Sequence, residues 1–194
     1  MIRVHGKYII RRSENIHEEN DYKKYLPTLR EDFHHICGYC GKSERITTKG
    51  FEIDHFVPQS VDPSKKIKYD NLVYSCFTCN RKKSSDWPTR DTSKSNDGVK
   101  GYVDPATPDF DIHLKRSESG KIIPKTKVGE YMIRKFKFEK RPIETLYKLE
   151  LLWEKKLELN KKILEITEYK KMEEYIRIQN SIDDLMKRIF NVKE

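Results

Sequence analysis

The sequence predicts an α+β chain: a small ββα core clamped by a four-cysteine zinc site, followed by a C-terminal helical extension. Three observations carry this. The four cysteines fall as two CxxC pairs, Cys37/Cys40 and Cys76/Cys79, with none left over. The stretch between and just beyond the pairs reads strand, loop, strand, helix. From Pro142 onward there is no Gly and no further Pro, and apolar residues recur at three- and four-residue steps.

Taken in order, residues 1–29 form an N-terminal segment, 30–100 the core, 101–141 a basic loop and hairpin extension, and 142–194 the tail. "DYKKYLPTLREDFHHICGYCG" reads as a helix running into a tight knuckle, with Leu29, Phe33 and Ile36 on one face. "GFEIDHFVP" reads as a strand entered through Gly50 and stopped by Pro58. "QSVDPSKKIKYD" is a loop. "NLVYSCFTCNRKKSS" begins as a strand and passes through the second knuckle into a basic helix start, where Asn80 suits an N-cap. Residues 86–111 are mostly loop. "GKIIPKTKVGEYMIRKFKF" reads as a strand pair and a short helix. The tail carries two stripes, Leu146/Leu149/Trp153/Leu157 and Ile178/Ile182/Leu185/Ile189, and so predicts two helices, or one broken near residues 166–170.

Charge narrows the partners. Net charge is +9, and the surplus lies before residue 142, since the tail balances eleven basic against eleven acidic groups. A basic surface suits a polyanion such as DNA, although lysine-rich solubilisation fits charge alone equally well. No segment approaches the ~18–20 apolar residues of a membrane span, and the amino terminus lacks a signal-peptide apolar run. Cysteines without an export signal read as reduced thiols, which makes the cytoplasm the default location.

Two residues between thiolates let one turn present both sulfurs to a single ion. Two such turns complete a closed, structural tetrahedral Zn²⁺ site, so Cys37, Cys40, Cys76 and Cys79 are the expected ligands. Two matched pairs disfavour a redox CxxC or unrelated thiols. The 35 residues between the pairs exceed the ~15–20 of a plain zinc ribbon. Something is inserted.

That insertion holds Asp54 next to His55. Strand neighbours point to opposite faces, so the two cannot share a task by direct contact. Asp54 on the strand and Asn80 at the helix start offer a carboxylate and a neutral carbonyl oxygen, the ligand chemistry of Mg²⁺ or Mn²⁺. His55, on the other side, stays free to take a proton from water.

"CGYC…FEIDHFVPQS…NLVYSCFTCNRKKS" resembles the zinc-ribbon class of HNH endonucleases, in the ββα-metal or His-Me finger superfamily. The likeness covers roughly residues 30–88. It implies His55 as general base, Asp54 and Asn80 as holders of the catalytic Mg²⁺ or Mn²⁺, and Asn71 as the brace that orients the histidine. The implied reaction is metal-assisted hydrolysis of DNA phosphodiester bonds. Asn80 stands where many members carry histidine. Residues 101–141 further resemble segments that follow the HNH core in nucleases among bacterial defence genes, which implies phage defence or restriction.

Weaker signals surround these. Arg81, Lys82 and Lys83 at the helix start, and Lys65, Lys66 and Lys68 in the loop, suit phosphate contacts. Tyr131, Phe136 and Phe138 read as core rather than as stacking platforms. His34 and His35 read as packing or surface, because four cysteines already fill the zinc shell. Asp104, Asp109, Asp111 and His113 suggest a second metal cluster, yet loop acids between prolines are more often turn caps. The tail is expected to pack back on the core or to serve as an arm for a second copy or a separate subunit. The competing reading of the whole is a catalytically silent zinc-ribbon module that binds nucleic acid or protein.

Overall fold

The computed structural model describes residues 2–47, 49–162 and 169–190. They divide into two compact units, Met1–Ile143 and Glu144–Glu194. In the first, strands β1 (Phe51–His55) and β2 (Leu72–Cys76) form an antiparallel pair with Phe51 opposite Cys76 and His55 opposite Leu72. Helix α2 (Phe77–Lys83) follows β2 directly, giving the expected ββα order. Along β1 alternate side chains take opposite faces, Glu52 and Asp54 on one and Phe51, Ile53 and His55 on the other, and the strand is buried at its Asp54–His55 end. β2 is buried throughout.

The expected N-terminal helix is shorter than its apolar spacing suggests. A 3₁₀ turn at Tyr22–Tyr25 leads into α1 (Leu26–Asp32). The helix ends because His34 and His35 take left-handed backbone at φ 50° and 61°. Those two residues turn the chain into the first knuckle while Leu29 and Phe33 stay fully buried. Each such side chain contributes about 1.5–3 kcal/mol by leaving water. Beyond α2, a long loop leads to α3 (Phe110–His113), the hairpin β3 (Leu114–Arg116) and β4 (Ile122–Pro124), and α4 (Lys127–Phe136). Thr126 caps α4 by accepting from Gly129 N.

The segments 1–29, 30–100 and 101–141 all feed one core, in which Val4, Leu29, Leu72, Leu114 and Phe136 are fully buried. Arg116 is a principal tie. Its guanidinium, buried, donates to the carbonyls of Val4 (2.8 Å), Cys40 (2.7 Å) and Gly120 (2.7 Å), joining the amino terminus, the first knuckle and the hairpin. Phe136 and Phe138 are core, as expected, and Tyr131 packs against that core with its hydroxyl on Asp86.

The second unit contains α5, which starts at Ile143 and runs to Lys162, and α6 (Tyr169–Phe190). Lys155 pairs with Glu174 from one helix to the other. Leu149, Ile178 and Ile182 are buried, whereas Leu151, Leu157, Met172 and Ile176 are exposed. The expected break near residues 166–170 lies largely outside the described residues; Tyr169 and Lys170 are already helical. Among the described residues no helix is long and apolar enough to cross a membrane.

Candidate active and metal centres

The knuckles meet as the spacing requires. The sulfurs of Cys37, Cys40, Cys76 and Cys79 lie within 4.8 Å of one another, all four buried and none in a disulfide. The Cys40–Cys76 sulfur distance is 3.9 Å, against about 3.8 Å between ligands of a tetrahedral site with Zn–S bonds of ~2.3 Å. A zinc ion fits this donor set. The glycines make the turns possible: Gly41 has φ +66°, and a Cβ at Gly38 would stand 2.6 Å from the Phe33 ring.

Four thiolates around one dication leave excess negative charge, and Arg141 answers it. Its guanidinium lies 3.3 Å from Cys79 Sγ and 3.7 Å from the sulfurs of Cys40 and Cys76. Hydrogen bonds from the neighbouring cysteines, with help from the charge of Arg141, hold the Cys40 thiol well below its ordinary range.

His55, buried at the end of β1, has its Nε2 2.8 Å from the carbonyl of Lys66. A carbonyl only accepts, so Nε2 carries the proton and Nδ1 presents its lone pair. Gln59 Nε2 donates toward that lone pair at 3.1 Å, and the Tyr22 ring meets the imidazole edge-on at 4.7 Å. Burial pushes the His55 pKa down, opposed by the Lys66 carbonyl and by Asp54. The ring is therefore neutral at pH 7.

Asn71, buried, explains why the Lys66 carbonyl stays in place. Its Oδ1 accepts from Val57 N at 2.8 Å, and its Nδ2 donates to Val57 O at 3.0 Å and Lys65 O at 3.2 Å. One amide pins both ends of the loop over His55.

Asp54 is enclosed. Tyr39 donates to its Oδ2 at 2.5 Å, and the ammonium of Lys83 lies 3.1 Å from the same oxygen. Lys83 is fully buried and also donates to the His55 carbonyl at 2.7 Å. Burial raises the Asp54 pKa against the pull of Lys83 and Tyr39. Both contacts fall on Oδ2, which leaves Oδ1 clear of them.

Several expectations need correction. Lys83 is no phosphate contact, because none of its side chain reaches solvent; its charge is used internally on Asp54. Arg81 is 68% exposed and Lys66 is exposed, so both remain at the surface, while Lys65 is half-buried beside Asp62. Asn80 is not an N-cap. The helix begins at Phe77 after Cys76, which puts Asn80 inside α2. Asn80 also does not meet Asp54 directly: its Nδ2 donates to Glu52 Oε2 at 2.6 Å. Two of the three carboxylates expected to cluster with His113 are taken up in ion pairs. Asp104 makes a bidentate pair with Arg12 at 2.8 and 2.9 Å, Asp111 pairs with Arg3, and His113 bonds Thr126. Among the described residues, the four cysteines are the only group of metal-ligating side chains gathered this closely.

Sequence reasoning missed Glu52, Gln59, Tyr39 and Arg141. Glu52 was within reach, since it shares a strand face with Asp54. Gln59 lies only four residues past His55, whereas Tyr39 and Arg141 act across distances in chain that no local pattern encodes.

The four-cysteine cluster, the β-hairpin and the helix that follows it, with an acid and a histidine adjacent on the first strand, have the layout of a zinc-type HNH domain. Residues 37–86 match the family model described as HNH endonuclease, and all four buried cysteines fall within that match. No curated protein and no solved structure matches the chain.

Proposed function

We propose that the protein is a metal-dependent endonuclease that hydrolyses DNA phosphodiester bonds, with His55 as general base. The observation that carries this is the state of His55: neutral, its Nε2–H donated to the Lys66 carbonyl, with Nδ1 turned to a polar partner. A water in place of the Gln59 amide would give up its proton to Nδ1 as its oxygen attacks phosphorus. Asn71 keeps the imidazole aimed by holding the loop. Asp54, through Oδ1, and Asn80 suit a hard divalent ion with a carboxylate and an amide oxygen. Mg²⁺ or Mn²⁺ bound there supplies positive charge to the scissile phosphate and the departing oxygen. Arg81, Lys82, Lys65 and Lys66 then contact backbone phosphates, without reading sequence. We place the activity in the cytoplasm and, from the likeness of residues 101–141 to segments of defence nucleases, in restriction of invading DNA. The tail serves a second copy or a partner subunit.

Plasmid nicking tests the reading. Wild-type protein with Mg²⁺ or Mn²⁺ should nick, EDTA should stop it reversibly, and His55→Ala should lose about 10²–10⁴ in rate. Because burial lowers the His55 pKa, the acid limb of the rate profile should fall below the ordinary histidine value of 6.5. Metal-independent binding without cleavage would instead favour the silent module.

A further inference from the structure

Asn80 raises a chemical question. An amide has a donor end and an acceptor end of nearly equal shape, and only the carbonyl end can hold a cation. Nothing in the helix decides which end faces out, because Asn80 lies within α2 and the N-cap is Cys76. Glu52 does decide it. A carboxylate only accepts, so the amide nitrogen must face Glu52 Oε2, which it does at 2.6 Å. The carbonyl oxygen is thereby turned the other way. Glu52 is held in its turn: Arg81 stands 3.8 Å from Oε1, and the carboxylate is one-third exposed. Glu52, Asn80 and Arg81 line an open cleft of about 420 Å³ with Phe51 and Tyr22, so Glu52 and Asn80 are reached from solvent.

We propose that Glu52 is a positioning residue that orients the Asn80 amide so that its oxygen is presented to the catalytic cation. The inference rests on the nuclease reading above. Asp54 and Glu52 then divide the acidic face of β1. Asp54, sealed by Lys83 and Tyr39, offers one oxygen. Glu52 touches the cation's other ligand instead of the cation.

The test measures Mn²⁺ binding to the full-length, zinc-loaded chain without DNA, by electron paramagnetic resonance. The set is wild type, Glu52→Gln, Asn80→Ala and the double variant, with zinc content and circular dichroism as fold controls. Glutamine can donate to the Asn80 oxygen and pull it from the cation. Glu52→Gln should therefore weaken Mn²⁺ binding about 10–100-fold, the usual cost of losing a ligand's orienting partner. Raised Mn²⁺ should restore much of its nicking rate. In the Asn80→Ala background the same change should cost nothing further. An equal loss in that background would make Glu52 an independent ligand and overturn the proposal, as would wild-type binding by Glu52→Gln. If Asn80→Ala loses Mn²⁺ and nicking while Glu52→Gln keeps both, only this inference fails. If the wild type neither binds Mn²⁺ nor nicks DNA, the nuclease reading fails with it.

Discussion

Asn71→Ala is the most informative single substitution, because it separates holding the base from being the base. The side chain makes three hydrogen bonds: Val57 N to Oδ1 at 2.8 Å, and Nδ2 to Val57 O at 3.0 Å and Lys65 O at 3.2 Å. At roughly 1 kcal/mol net each, their loss costs about 3 kcal/mol, and the buried Val57 amide left without a partner pushes the figure upward. That is a large share of the ~5–15 kcal/mol that holds a domain together. Zinc still clamps the knuckles, so the loss should appear as a lower urea midpoint and not as failure to fold. With both loop ends released, the Lys66 carbonyl no longer holds His55 Nε2, and nicking should fall toward the level of His55→Ala. Asn71→Asp should do no better, since it keeps the acceptor, loses both donors and sets a carboxylate against two carbonyls. The assay pairs urea unfolding in zinc-replete buffer with plasmid nicking at neutral pH. An Asn71→Ala protein that unfolds within about 0.5 kcal/mol of wild type and cleaves at full rate would refute the bracing argument.

Three further outcomes follow from the same geometry. The purified chain should hold about one tightly bound Zn²⁺; Cys76→Ser should yield insoluble or melted protein, and Arg141→Gln should release zinc to a chelator faster than wild type, as read by a colorimetric metal indicator. Lys83→Met leaves the Asp54 charge buried without its ion pair, so it should destabilise by about 3–5 kcal/mol in urea unfolding, whereas a surface phosphate contact would lower only DNA affinity. A chain ending at Ile143, the last residue of the first unit, should stay folded and zinc-bound and still bind DNA; analytical ultracentrifugation should show lost self-association if the tail joins two copies, and an insoluble product would assign the tail to the core.

The sequence alone carried the chemistry that depends on residue type and short spacing. Two residues between thiolates predict a knuckle because the constraint is local, and period-two alternation already puts Asp54 and His55 on opposite faces. Strand, strand and helix were legible for the same reason, as was the helical tail from its three- and four-residue steps. The limits of α1 were not, because His34 and His35 adopt left-handed backbone under the demands of the knuckle that follows. Tertiary structure decided which groups meet. A lysine beside Arg81 and Lys82 looks like one more phosphate contact until α2 packs on β1; the i, i+3 spacing then sets Asn80 on Glu52 and Lys83 on Asp54. Arg141 reaches the thiolates from 62 residues beyond Cys79, and Arg116 ties Val4 to Cys40 across the whole first unit. Local sequence specifies dihedrals, caps and alternating faces. The partner of a buried charge is chosen by whatever else must be buried beside it, and that is known only once the chain has packed.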